Sequence, residues 1–149
     1  MFDLILKGGE VFDGSGNESI IGDVAIKDGI IAEIGPSLSR HAGEVIDGRG
    51  LTVMPGAMDP QVHFRDPGNT HKECLSSGSR AAASGGITAF LDMPNTNPNT
   101  STVEALHNKL ELASTKSSVH YGFFMGANGE NLEELNNAER TCGIKIFMG

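Results

Sequence analysis

The sequence predicts an α/β fold: a parallel sheet built from repeated β-α units, preceded by a small unit of β-strands. Two observations carry that expectation. After Val53, strand-sized apolar runs alternate with helical segments across short loops, the pattern of a parallel sheet with crossover helices. Before Val53, short apolar runs are separated by glycine-containing turns. The boundary is placed accordingly, with the β unit over 1–52 and the β/α portion over 53–149.

In the first portion, Leu4-Ile5-Leu6 and Val11-Phe12 flank Gly8-Gly9, and Asp13-Gly14-Ser15-Gly16 breaks the chain. Asp23–Lys27 and Ile30–Ile34 are apolar runs joined by Asp28-Gly29, the strongest short hairpin signal, because a type I′ turn needs positive φ at both central residues. Glu44–Asp47 is a further short strand, and His41 lies in a polar loop where it is read as solvated. In the second portion, Lys72–Ser84 reads as a helix stopped by Gly85-Gly86, and Ile87–Met93 as the next strand. Thr102–Leu112 has near-helical apolar spacing with Ser101 or Thr102 as N-cap. Val119–Met125, Asn131–Arg140 and Gly143–Met148 then read as strand, helix and strand. A closed (β/α)₈ barrel needs roughly 250 residues. The first four β/α strands of such a barrel are therefore expected here, and the sequence is read as the N-terminal portion of a longer protein.

Composition narrows the function. Lys+Arg number 11 against 19 Asp+Glu, a net charge of −8 with no basic run, which argues against nucleic acid or an anionic membrane as partner. No apolar run is long enough to span a bilayer, and the N-terminal run, interrupted by Asp3, is too short for a signal peptide. The two cysteines, Cys74 and Cys142, show no paired spacing, which predicts a reduced, cytoplasmic setting.

The stretch Val53–Gly68, VMPGAMDPQVHFRDPG, carries the chemistry. It reads as a buried strand that delivers Asp59, Gln61, His63 and Arg65 at alternate positions, on one face if the chain stays extended. An acid, an amide, an imidazole and a guanidinium in register are costly to bury unless a metal or an anionic ligand partners them. His63, Asn95 and Lys145 all fall at or near predicted strand ends, where sites collect in parallel β/α folds. Lys145, flanked by Ile144 and Ile146, reads equally as an outward lysine or as a desolvated amine able to add carbon dioxide. Arg65 and Asn95 could clamp a carboxylate, although Asn95 between Pro94 and Pro98 also suits a plain turn. His71, His107 and His120 are read as non-ligating.

Three stretches in order, VMPGAMDPQVHFRDPG, KECLSSGSRAAASGGITAFLDMPNTNPNT and GIKIFMG, resemble the bacterial dihydroorotases of the cyclic amidohydrolase superfamily. The resemblance implies a TIM-like barrel carrying a small β-sandwich, with Zn²⁺ (two per complete site) at the barrel mouth. It implies that His63 is a metal ligand, that Lys145 becomes a metal-bridging carbamate, and that Arg65 and Asn95 hold the substrate carboxylate. Asp59 matches the acid before the ligand pair, acting behind the ligands. Gln61 stands where the first histidine ligand is usual, and its amide oxygen is a weaker zinc donor than imidazole. Asp66 replaces a usual glutamate. The implied reaction interconverts N-carbamoyl-L-aspartate and L-dihydroorotate in pyrimidine biosynthesis. The implied partners are that small-molecule substrate, further copies of the chain, and aspartate transcarbamoylase. Gln61 keeps open a non-catalytic scaffold subunit, and a hydantoinase or allantoinase activity is the third reading.

Overall fold

The computed structural model describes residues 1–39 and 41–148. They fall into two units, Met1–Pro55 and Gly56–Gly149. In the first, β1 (Phe2–Val11) pairs antiparallel with β2 (Ile20–Lys27), which pairs antiparallel with β3 (Ile30–Gly35). The turn joining β2 to β3 is the one the Asp-Gly pair dictates, with Asp28 at φ 53° and Gly29 at φ 75°. On its other side β1 takes β4 (Ala42–Asp47) and β5 (Thr52–Val53) as parallel neighbours. A bulge interrupts β1 at Gly8, whose φ is 73°. There the buried Asp23 carboxylate accepts the Gly8 N–H at 2.8 Å and the Leu38 N–H at 2.9 Å. Phe2, Ile5, Ala25 and Leu38 form the small core of this unit.

Thr52-Val53 therefore closes the first sheet and does not open the second, unlike the expectation of a strand running on from Val53. Pro55-Gly56 is the break: proline cannot donate to a ladder, and Gly56 lies so near Thr88 that a Cβ would meet its side chain at 2.1 Å. The second sheet begins at β6 (Ala57–Val62) and continues through β7 (Ile87–Asp92), β8 (His120–Gly126) and β9 (Gly143–Lys145). All three pairings are parallel and the spatial order is the sequence order, β6-β7-β8-β9. Neighbours that follow one another without a reversal are the connectivity of a β/α barrel rather than of a doubly wound sheet.

Between the strands run α1 (Leu75–Ser84), α2 (Val103–Lys116) and the short α3 (Leu132–Asn136). α1 starts three residues after the expected Lys72 because its cap is remote: the buried Asp66 carboxylate accepts the Leu75 N–H at 3.2 Å, and Lys116 Nζ lies 3.1 Å from the same oxygen. Gly86, at φ 81°, ends the helix as expected. The Thr102 hydroxyl caps α2 by accepting the Ala105 N–H at 3.1 Å. α3 stops at Asn136, short of the expected Arg140, which sits at φ 63°. Leu75, Phe90, Leu106, Leu110, Ala113, Phe123 and Met125 make the core between helices and sheet, with the Phe64 ring edge-on to Phe90 at 4.7 Å.

Candidate functional site

Because the second sheet is parallel, all its strand ends of one polarity lie along one edge. β6 runs out into His63, Phe64 and Arg65, and β7 into Met93, Pro94 and Asn95. The two run-outs are stitched together by the Met93 N–H donating to the Val62 carbonyl at 3.0 Å, and by the Phe64 N–H donating to the Asp92 carboxylate at 3.0 Å. That stitching brings His63 and Asn95 side by side, with imidazole Nδ1 2.8 Å from the Asn95 side-chain oxygen. Arg65 reaches the same residue from the other side, donating from Nη1 to the Asn95 backbone carbonyl at 3.4 Å.

The even alternation expected from Asp59 to Arg65 does not persist. β6 ends at Val62, and Arg65 sits at φ 62°, a left-handed backbone that turns its side chain out of the extended register. Pro60 sits in β6, whose pairing with β7 is irregular between Asp59 and Val62. Asp59 folds back to accept the Gln61 N–H at 3.0 Å, and Gln61 is exposed. The structure thus joins His63, Arg65 and Asn95, and among the described residues neither Asp59 nor the Gln61 side chain hydrogen-bonds to that group. Lys145 closes β9, three strands away from β6 across the sheet. It is half-buried, with Nζ 5.5 Å from the centre of the exposed Phe147 ring. His120 opens β8 and so lies at the opposite edge from the site, while His71 and His107 are exposed.

The donor chemistry around His63 suits a metal. An amide oxygen can only accept, so the proton of a neutral imidazole sits on Nδ1 and the Nε2 lone pair is left for a ligand. Among the described residues no three His, Cys, Asp or Glu side chains converge closely enough to hold a metal ion. The residues present fit one part of a donor set, with one imidazole and one amine at strand ends.

Beneath the site lies a buried ion pair that sequence reasoning passed over. Lys109 of α2 and Asp92 are 1% and 0% exposed, with Nζ 2.7 Å from the carboxylate. The ammonium also donates to the Met93 carbonyl at 3.1 Å and lies 4.7 Å from the centre of the Phe123 ring. Burial pushes the Lys109 ammonium below its ordinary range, against the pull of Asp92. The signal was legible: Lys109 falls three residues after Leu106, on the apolar face of the helix, and Asp92 ends an apolar strand.

Comparison with known proteins follows this geometry. Residues 52–144 match the amidohydrolase family. The chain belongs to that family. An allantoinase of Rubrobacter xylanophilus is 47% identical over 99% of this chain and 32% of its own length. A dihydroorotase of Solibacter usitatus is 41% identical over 96% of the chain and 34% of its own length. Among solved structures, an L-hydantoinase (dihydropyrimidinase) from Arthrobacter aurescens superposes with a TM-score of 0.87 at 31% identity, over 97% of this chain and 32% of that one. The chain therefore spans about a third of the length of the relatives it matches. The α/β architecture expected from the sequence, a partial barrel after a β-sandwich portion, is the one observed, and it superposes on that hydantoinase.

Proposed function

We propose that the protein to which this chain contributes hydrolyses, or closes, the ring of a cyclic amide, and that its substrate carries a carboxylate of the dihydroorotate kind. The observation that carries the second half is Arg65. Its guanidinium spends one donor, at 3.4 Å, on the Asn95 carbonyl, and its remaining N–H groups have the planar spread that matches a carboxylate. His63 would hold zinc through Nε2, and Lys145, as a carbamate, would be the bridging oxygen ligand, with Gln61 a weaker donor. Zinc bound there would polarise the ring carbonyl and supply the attacking water. Asn95 holds the imidazole in the tautomer that exposes Nε2. This reassigns its side-chain oxygen from clamping substrate to orienting His63, and leaves the amide NH₂ available to the substrate.

Allantoinase is the second reading, favoured by the 47% identical relative. Allantoin has no carboxylate, so the two readings separate on Arg65. The full-length protein, loaded with zinc, is to be assayed on L-dihydroorotate, N-carbamoyl-L-aspartate, allantoin and hydantoin. The expected result is turnover of dihydroorotate and carbamoyl-aspartate, with kcat/KM for both lowered about 100-fold or more in Arg65→Ala. Turnover of allantoin with no effect of the substitution replaces the first reading by the second. No turnover and no bound zinc would make the protein a scaffold.

A further inference from the structure

We infer that Lys109 is a positioning residue of this site: its buried ammonium ties the ends of β6 and β7 together and thereby sets the His63–Asn95 hydrogen bond. The inference rests on the reading of His63 and Asn95 as functional. Lys109 reaches the carboxylate of Asp92 at 2.7 Å and the carbonyl of Met93 at 3.1 Å, two consecutive residues on the run-out of β7 that leads to Asn95. Asp92 spends its other oxygen on the N–H of Phe64, which stands between His63 and Arg65. One cation therefore bridges, through a single carboxylate, the two backbone segments whose side chains meet.

Stability alone does not call for a lysine here. The helix face around it is apolar, with Leu106 and Leu110 in the core, and a leucine or methionine would bury there without desolvating a charge. Replacing a buried ion pair by apolar residues of similar size is often neutral or stabilising. What an apolar residue could not supply is a hydrogen bond to the Met93 carbonyl together with a charge held against Asp92. Among the described residues Asp92 Oδ2 finds no hydrogen-bond partner, so the ammonium charge is its compensation. The other side of Lys109 is the Phe123 ring, which accepts a cation on its face and no hydrogen-bond direction.

The test uses the full-length protein with ¹⁵N-labelled histidine, without metal, and reads the Nδ1–H fraction of His63 from its ring nitrogen shifts. Lys109→Met tests the bridge directly. The double variant Asp92→Asn, Lys109→Met removes both charges and keeps an oxygen for the Phe64 N–H, so it relieves the uncompensated carboxylate that could unfold the single variant. Zn²⁺ affinity is measured by chelator competition on each, with His63→Ala as control. The expected result is a folded double variant in which the Nδ1–H tautomer loses its dominance and zinc binds about 10-fold more weakly or worse, while Lys109→Arg restores part of both. A folded double variant with the wild-type tautomer and affinity overturns the inference. So does a double variant that cannot fold, because the pair is then a fold determinant. If His63→Ala leaves zinc affinity unchanged, it is the site reading that fails, independently of Lys109.

Discussion

At the scale of single residues, local partners separate groups of the same type. The two cysteines are the plainest case. Cys74 stands at the N-cap position of α1, where the Ser77 hydroxyl, 3.1 Å from its Sγ, and the first N–H groups of the helix favour the thiolate. They pull the thiol below its ordinary value of 9.0, against desolvation and the opposing charge of Asp66. Cys142 is moved the other way, because desolvation disfavours its thiolate. A thiol of lowered pKa ionises first as pH rises. Alkylation of Cys74 by iodoacetamide should therefore climb at lower pH than that of Cys142; coincident profiles followed by mass spectrometry would sink this account. Neither shift was legible in the sequence, where both cysteines look alike. The same holds within the site. His63, Arg65 and Asn95 are visible as residue types at strand ends, but the pairing of Asn95 with His63 depends on the bonds that stitch Val62 to Met93 and Phe64 to Asp92, which no alternation pattern encodes.

At the scale of elements, close approach outweighs propensity at Gly78. It lies inside α1, where alanine is the better helix former by about 1 kcal/mol. A Cβ there would come within 2.6 Å of the Phe64 ring, which is itself held edge-on by Phe90. Overpacking of this kind costs about 1–3 kcal/mol and has to be relieved by moving Phe64, the residue between His63 and Arg65. Gly78→Ala is accordingly expected to lower the urea midpoint despite its helix propensity; an unchanged or raised midpoint would mean the ring moves freely. Elements whose signals are local were readable in advance, among them the Asp28-Gly29 hairpin, the Gly86 stop and the Thr102 cap. Elements fixed by distant partners were not. The start of α1 follows the Asp66 carboxylate nine residues upstream, and the Val103 N–H at the start of α2 is taken by Glu134 of α3 at 2.7 Å. The break at Pro55-Gly56 was in plain view, but an apolar run on both sides of it disguised two strands of different sheets as one.

At the scale of the whole molecule, what the two sheets leave uncovered matters most. In the first unit Ile21, Ile30, Ile31 and Val45 are 57–69% exposed, and in the second Ile144, Ile146, Phe147 and Met148 cluster on the last strand and just beyond it. Isolated apolar residues at a surface need no partner, but several on both sides of one small sheet, and a run of them at the end of another, are an association hazard. β9 is also an edge strand with its outer hydrogen-bonding row unpaired by any strand among the described residues. The net charge of −8 opposes association, but at physiological salt its repulsion is screened within about 8 Å and cannot protect an apolar contact. The 149-residue chain alone should therefore self-associate, its apparent mass in size-exclusion chromatography with light scattering rising with concentration above 15.7 kDa. A charge at either of two such positions, Ile31→Glu or Ile146→Lys, should reduce that rise, since each replaces an exposed apolar side chain. A chain that stays monomeric at every concentration would show that these faces are tolerated in water.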